Sequence, residues 1–282
     1  MRSANSLIKS VSRIEPARLE EVPESVADVV ASLSAAGAVL GSALHPTSAA
    51  NLAVLVRIMN TYYSNLIEGH DTRPRDIERA LAGNLDRDEG RRNLQLEAAA
   101  HVRVQAEVDR MASEDNLPEP ASPGFIRWLH REFYRDAPAP MLRICGTDTD
   151  FVMEPGEWRS RPEHDVAVGR HLPPSSDRVN DFIRYFEQRY RFADLGKAAR
   201  IMAIASAHHR LNYIHPFPDG NGRVSRLMSP GAHRPARVER PDRQRNACLG
   251  DAEGAGVAEV PKRCAGDSVS STVSADIDSE FG

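Results

Sequence analysis

Cysteine is scarce. Cys145, Cys248 and Cys264 are the only three in 282 residues, in no metal-ligand or disulfide-framework spacing, so no structural bridge is expected and a reducing, cytoplasmic setting is. A basic excess is missing as well. With 36 Lys and Arg against 40 Asp and Glu, the formal net charge is −4, which leaves none of the positive stripe that nucleic-acid binding requires. The first thirty residues lack the apolar block of a signal peptide, and the longest apolar stretch, Val29 to Leu44, is too short and too rich in Ser and Gly to span a bilayer. Neither a membrane nor nucleic acid is expected as a partner. No GxxxxGK(S/T) pattern and no kinase motif set occurs, so any phosphate must be cradled elsewhere.

What is present is mostly helical. Residues 1–22 are polar and weakly patterned, and are expected to form a flexible arm. An N-terminal helical region follows over 23–118. Within it, Val26 to Leu44 reads as a small-residue helix. From Ser48 to Gly69, apolar side chains recur at Leu52, Leu55, Val56, Met59, Tyr63, Leu66 and Ile67, one face of a helix of roughly six turns. Further helices are expected over Asp76–Leu81 and Arg91–Met111. A core over 119–228 would begin with a helix from Phe125 to Tyr134, opened by Ser122-Pro123. Between Pro138 and Pro174 the pattern breaks, and Asp165 to Gly169 is the best candidate for a small β-hairpin. Helices resume with the amphipathic Val179–Tyr190 segment and the Ala-rich Leu195–Ile214 run, which reads as a central buried helix. After Met228 no aromatic residue occurs until Phe281, and Arg, Pro, Ala, Gly and Ser dominate. Residues 229–282 are therefore expected to be a disordered tail, with Pro230-Gly231 stopping the preceding helix.

The chemistry concentrates in His215-Pro216-Phe217-Pro218-Asp219-Gly220-Asn221-Gly222-Arg223-Val224-Ser225-Arg226. Gly220 and Gly222 allow a tight turn and close backbone approach, and the first N–H groups of the helix that follows make an anion site. Arg223 in the first turn opposes the helix dipole, which makes sense if an anion binds beside it. Arg226 lies three residues on, along the same face. Asp219 offers a hard oxygen to Mg²⁺, and His215 is placed to act as a general base.

This run resembles the Fic family signature HPFx(D/E)GNGRxxR at every fixed position. Upstream, Ser64-Asn65-Leu66-Ile67-Glu68-Gly69 is similar to the family's inhibitory pattern (S/T)xxxE(G/N). The segments Pro155-Gly156-Glu157-Trp158-Arg159 and Leu172-Pro173-Pro174 are similar to the borders of its flap. The resemblance covers most of residues 20–228. It implies an all-α Fic fold with a small β-hairpin flap, and an autoinhibited adenylyltransferase that moves AMP from ATP to a hydroxyl of a target protein. His215 would be the base, Asp219 the Mg²⁺ ligand, and Gly220, Asn221 and Gly222 the cradle of the α- and β-phosphates. Arg223 and Arg226 would hold the outer phosphates, and Phe217 would anchor the core. Ser64, Glu68 and Gly69 would form the inhibitory helix end, with Glu68 against Arg226. The target would dock at the flap by strand addition, and self-modification is expected without one. Two alternatives stay open: a non-catalytic nucleotide-binding remnant, and a Fic enzyme that removes AMP or transfers another phosphate-containing group. The first draws on the tail, which resembles a shifted reading frame where the family continues with helices.

Overall fold

The computed structural model describes residues 10–19, 21–146 and 149–232. Among these the chain forms nine α-helices and one two-stranded sheet. They are α1 (Glu24–Ala43), α2 (Pro46–Ile67), α3 (Pro74–Leu81), α4 (Glu89–Ser113), α5 (Pro123–Tyr134), α6 (Ala139–Leu142), β1 (Arg143–Cys145), β2 (Asp150–Val152), α7 (Val179–Arg189), α8 (Lys197–Ile214) and α9 (Asn221–Ala232). Local rules set most boundaries. Ser122 caps α5 by accepting a bond from the Phe125 N–H at 3.2 Å, with Pro123 at the first helical position, where no N–H is needed. At the end of α2, Gly69 takes φ +78° and the His70 N–H reaches back to the Asn65 carbonyl at 2.8 Å, a Schellman closure.

The main core gathers Val104 and Val108 of α4, Phe125, Ile126, Leu129 and Phe133 of α5, Phe182, Ile183 and Phe186 of α7, Leu211 and Ile214 of α8, and Val224, Leu227 and Met228 of α9. A second, smaller cluster of Ile58, Ile77, Ala98 and Val102 joins α2, α3 and α4. Helix α9 packs against α4, α5 and α8, so the helix that carries the signature arginines runs through the middle of the molecule.

Several expectations need correction. The stripe Leu52, Leu55, Tyr63, Leu66 and Ile67 faces outward, and the inward face of α2 presents Ile58, Thr61, Ser64 and Asn65. Polarity wins there because α2 lies against α4, whose buried residues include Glu97, His101 and Gln105. The arm is not loose throughout: Ile14 and Ala17 are fully buried, and the Glu15 carboxylate accepts from Arg189 Nε at 2.6 Å and from Tyr185 at 2.5 Å. The hairpin lies earlier than expected, pairing Arg143 with Val152 and Cys145 with Asp150. Over 165–171 there is only a single bridge, Val168 with His171. A three-residue strand is too short to alternate, which is why β1 and β2 left no periodic signal. Helix α8 buries one face only. Helix α9 continues through Pro230 and Gly231 to Ala232. The proline forgoes a single backbone bond, and burial of Val224, Leu227 and Met228 holds the helix. The rest of the expected tail, 233–282, lies outside the described residues, as do 1–9. Helix α1 opens at Glu24, and its 20 residues are long and apolar enough, by length and composition alone, to cross a membrane. Cys145 is disulfide-bonded, contrary to expectation, because spacing along a chain does not say which thiols a fold brings together.

Candidate active site

The signature loop joins two helices and is fixed from inside. His215 closes α8 in the left-handed region, at φ 50° and ψ 59°, which turns the chain sharply towards the loop. Phe217 is fully buried, stacked on His130 with ring centroids 3.9 Å apart and leaning on Trp158 at 4.6 Å. The Asn221 side chain spans the loop, accepting from the Phe217 N–H and donating to the Phe217 carbonyl, each at 2.8 Å. Gly220 has φ +78°, and a Cβ there would lie 2.9 Å from the Tyr134 ring, so no other residue fits. Helix α9 then starts at Asn221, and its first N–H groups have no acceptor within the helix.

The half-buried His215 side chain places Nδ1 3.4 Å from the Asn212 carbonyl. A carbonyl only accepts, so Nδ1 carries the proton and Nε2 keeps the lone pair. Burial, aided by the nearby Arg159 guanidinium, pushes the imidazole down to about 4, so the ring is neutral near pH 7 and able to take a proton. Arg159, buried to 1% exposure, ties this point to the segment around Pro174 and Ser176. Its Nε donates to the His215 carbonyl at 2.7 Å, its Nη2 to the Pro174 carbonyl at 2.9 Å, and its Nη1 to Ser176 Oγ at 3.1 Å. His130 adds a second tie: its Nδ1 accepts from the Gly156 N–H at 2.8 Å, leaving Nε2–H to donate to the Asp219 carbonyl at 3.2 Å.

Asp219 is nearly buried, and its Oδ2 accepts from the Tyr134 hydroxyl at 2.7 Å. No cluster of three or more His, Cys, Asp or Glu able to hold a metal occurs among the described residues, so a closed metal cage is not built there. A single carboxylate beside an open helix N-terminus suits Mg²⁺, which binds through one or two carboxylates together with substrate phosphates.

The two arginines diverge. Arg226 Nε donates to Ser64 Oγ at 2.8 Å and its Nη2 pairs with Glu68 Oε1. A Cβ on Gly222 would lie 2.7 Å from that carboxylate oxygen and 3.0 Å from Arg226 Nη1. Glu68 thus brings a negative charge to the helix N-terminus where an anionic ligand is expected. Arg223 instead turns inward. It is 1% exposed, its Nη2 bonds Glu97 Oε2 at 2.9 Å, and its guanidinium lies 5.4 Å from the Phe133 ring centre. Burial opposes its charge, but the carboxylate of Glu97, with Tyr134, Glu68 and Asp219, more than offsets this and raises its affinity for the proton.

A model of the Fic/DOC family matches residues 120–229. Those 110 residues form a Fic/DOC domain. Over 76 residues it is 37% identical to the protein adenylyltransferase Fic of Drosophila erecta and to that of Aedes aegypti, a match covering 27% of this chain and 15% of each relative. The chain therefore spans only a small part of the curated relatives it matches. A Fic family protein from Desulfovibrio desulfuricans superposes with a TM-score of 0.52 at 18% identity, over 75% of this chain and 58% of that one. A Fic domain containing signaling protein from Bacteroides thetaiotaomicron gives 0.52 at 21%, over 75% and 72%. At such identities the likeness is one of fold.

Ser64 and Glu68 of α2, which lies outside the matched residues, come together with Gly222 and Arg226 within them, and Gly69 ends the helix that delivers Glu68. Two residues with roles implied by the resemblance have side chains engaged within the protein, the Asn221 amide with Phe217 and the Arg223 guanidinium with Glu97. Glu97, His130 and Tyr134 carried no motif signal, and Arg159 appeared only as the end of the segment similar to a flap border, with no role of its own. His130 and Tyr134, four residues apart on α5, and Glu97, His101 and Gln105, spaced by four on α4, did form polar stripes, and these lie on the buried faces of the two helices.

Proposed function

We propose that this chain is a protein adenylyltransferase held inactive by its own α2, transferring AMP from ATP to a side-chain hydroxyl of a target protein and releasing pyrophosphate. The observation that carries this reading is the Glu68 carboxylate on Arg226 and directly over Gly222. It stands where a nucleotide's outer phosphate would meet the helix N-terminus, so a carboxylate and a phosphate compete for one cation.

The neutral imidazole supports the chemistry. His215 Nε2 takes the hydroxyl proton as the oxygen attacks the α-phosphorus, the new P–O bond forms, and the bond to pyrophosphate breaks. The α9 N-terminus stabilises the charge that builds on the departing oxygens. Mg²⁺, when held by Asp219 and the phosphates, would supply further charge neutralisation. The chain between Arg159 and Pro174, tied to His215 through Arg159, would position the target hydroxyl.

Purified chain incubated with Mg²⁺ and ATP labelled at the α-phosphate tests this. A charge-assisted hydrogen bond is worth about 1.5–3 kcal/mol, so Glu68→Gly is expected to raise self-labelling roughly ten- to a hundredfold over wild type. Adding His215→Ala should abolish the label while nucleotide still binds. Equal labelling of folded wild type and Glu68→Gly would sink the inhibitory role, and label surviving His215→Ala would sink the assigned base.

A further inference from the structure

We propose that Tyr134 is a positioning residue for the metal carboxylate, setting through one hydrogen bond the orientation in which Asp219 meets a divalent cation. The inference rests on the reading of Asp219 as the cation's protein ligand. Tyr134 is 1% exposed in the main core, packed edge-on against Phe133 at 4.9 Å and tilted against His130 at 4.8 Å. A phenol so enclosed has little freedom. Its hydroxyl donates 2.7 Å to Asp219 Oδ2, and behind the same oxygen stands Arg223 Nη1 at 3.8 Å. That guanidinium is itself anchored on Glu97 and lies 3.5 Å from the Tyr134 oxygen.

An aspartate side chain could otherwise rotate about its last bond. Holding Oδ2 from two sides fixes that rotation, and with it the place of Oδ1. The ring also contacts the position of the missing Gly220 Cβ, so it sets the backbone that carries Asp219 as well as the carboxylate. The hydrogen bond draws electron density towards the phenol, and it spares the carboxylate the entropy of ordering when a cation arrives. Groups that orient a metal ligand in this way are worth ten- to a hundredfold in metal affinity. The chain Glu97, Arg223, Tyr134, Asp219 further makes α4 a structural support of the metal site.

The test reads metal binding without any transfer. Mn²⁺ is titrated into the full chain with a non-hydrolysable ATP analogue and followed by electron paramagnetic resonance. Tyr134→Phe should weaken Mn²⁺ about ten- to a hundredfold, while metal-free nucleotide affinity is unchanged. In an Asp219→Ala background the same substitution should have no further effect. Unchanged Mn²⁺ affinity in Tyr134→Phe would overturn the proposal, and so would an equal loss in the Asp219→Ala background, which would mark a merely structural role. Should Tyr134→Phe fail to fold, 4-aminophenylalanine and 4-methylphenylalanine at this position replace it, since both fill the space and only the first donates. Tight metal binding with the first and weak binding with the second is the expected result; equal binding overturns the idea. If the chain transfers no AMP, the functional reading fails while the Mn²⁺ titration still decides the role of Tyr134.

Discussion

Arg159 uses its guanidinium as a staple between the Pro174 segment and the end of α8, and its main partners are backbone carbonyls, those of Ile214, His215 and Pro174. Burial pushes its pKa down to about 10, against the opposing pull of Asp165. The planar fork reaches these acceptors at once, which a lysine ammonium on a flexible stem does not. Arg159→Lys should therefore destabilise the fold by about 2–3 kcal/mol, the cost of leaving buried carbonyls unmatched. Urea midpoints of the two proteins check this, and a variant within error of wild type would show that another group takes over. The motif reading placed this residue at a flap border without giving it a role, because its importance depends on where three distant carbonyls end up. Asn221 and Arg223 illustrate the opposite case. A motif carries no information on direction, and here the Asn221 side chain bonds Phe217 within the loop while the Arg223 side chain bonds Glu97 of α4.

Helix α2 was legible as a helix, with its Gly69 stop, because period and capping are local properties. Which face turned inward was not legible. The buried side chains Thr61, Ser64 and Asn65 become intelligible only beside Glu97, His101 and Gln105 of α4 and the arginines of α9, and the apolar stripe that period analysis assigns to the core is left outside. Beyond the small apolar cluster around Ile58, α2 is seated through polar contacts that gain little from desolvation, so the attachment of its C-terminal end rests on a few directed bonds. Two of these meet Arg226. The Ser64 bond to Arg226 Nε is neutral on the acceptor side, so its loss is worth about 1 kcal/mol, less than that of Glu68. Ser64→Ala should raise self-labelling about fivefold, in between wild type and Glu68→Gly. A Ser64→Ala protein as active as Glu68→Gly would mean that the two act as one inseparable unit.

Across the whole molecule, the feature with the widest consequence is the number of histidines kept neutral. Burial pushes His130 and His215 down to about 4 and His101 to about 3, with the arginines of α9 adding to the effect on His101. The unfolded chain takes up these protons near pH 6.5, and the folded chain does so only near pH 4 or below. Stability is thus fully present above about pH 6.5 and falls as pH drops towards 4, where further loss from His130 and His215 ends. For the fully buried His130 alone the span corresponds to ~3 kcal/mol. The urea midpoint should accordingly be level from pH 7 to 8 and drop steeply between pH 6 and 4.5. A flat profile through that interval would show that these rings titrate normally. Glu15 acts in a separate, more acidic window: burial raises its pKa, but bonds from Arg189, Tyr185 and the Ala17 N–H outweigh this and bring it to about 2, so its contribution is lost only as pH falls from about 4.5 towards 2.

The loop-spanning amide of Asn221 also governs how the protein ages. Asn221 precedes Gly222, the neighbour that most readily permits an asparagine amide to be lost, through attack of the glycine nitrogen on the side-chain carbon and release of ammonia. In the native state both ends of the amide are engaged by Phe217, and the backbone is already wound into α9, which keeps the attacking nitrogen out of position. Once the pair opens, hydrolysis of the ring leaves a carboxylate facing the Phe217 carbonyl, or an extra carbon in the main chain at the first residue of the helix. Either product is a one-way loss of the loop. Native protein stored at pH 8 should retain its amide at Asn221, whereas protein held in urea should accumulate aspartate and isoaspartate there, so each molecule carries a chemical record of the time its signature loop has spent open.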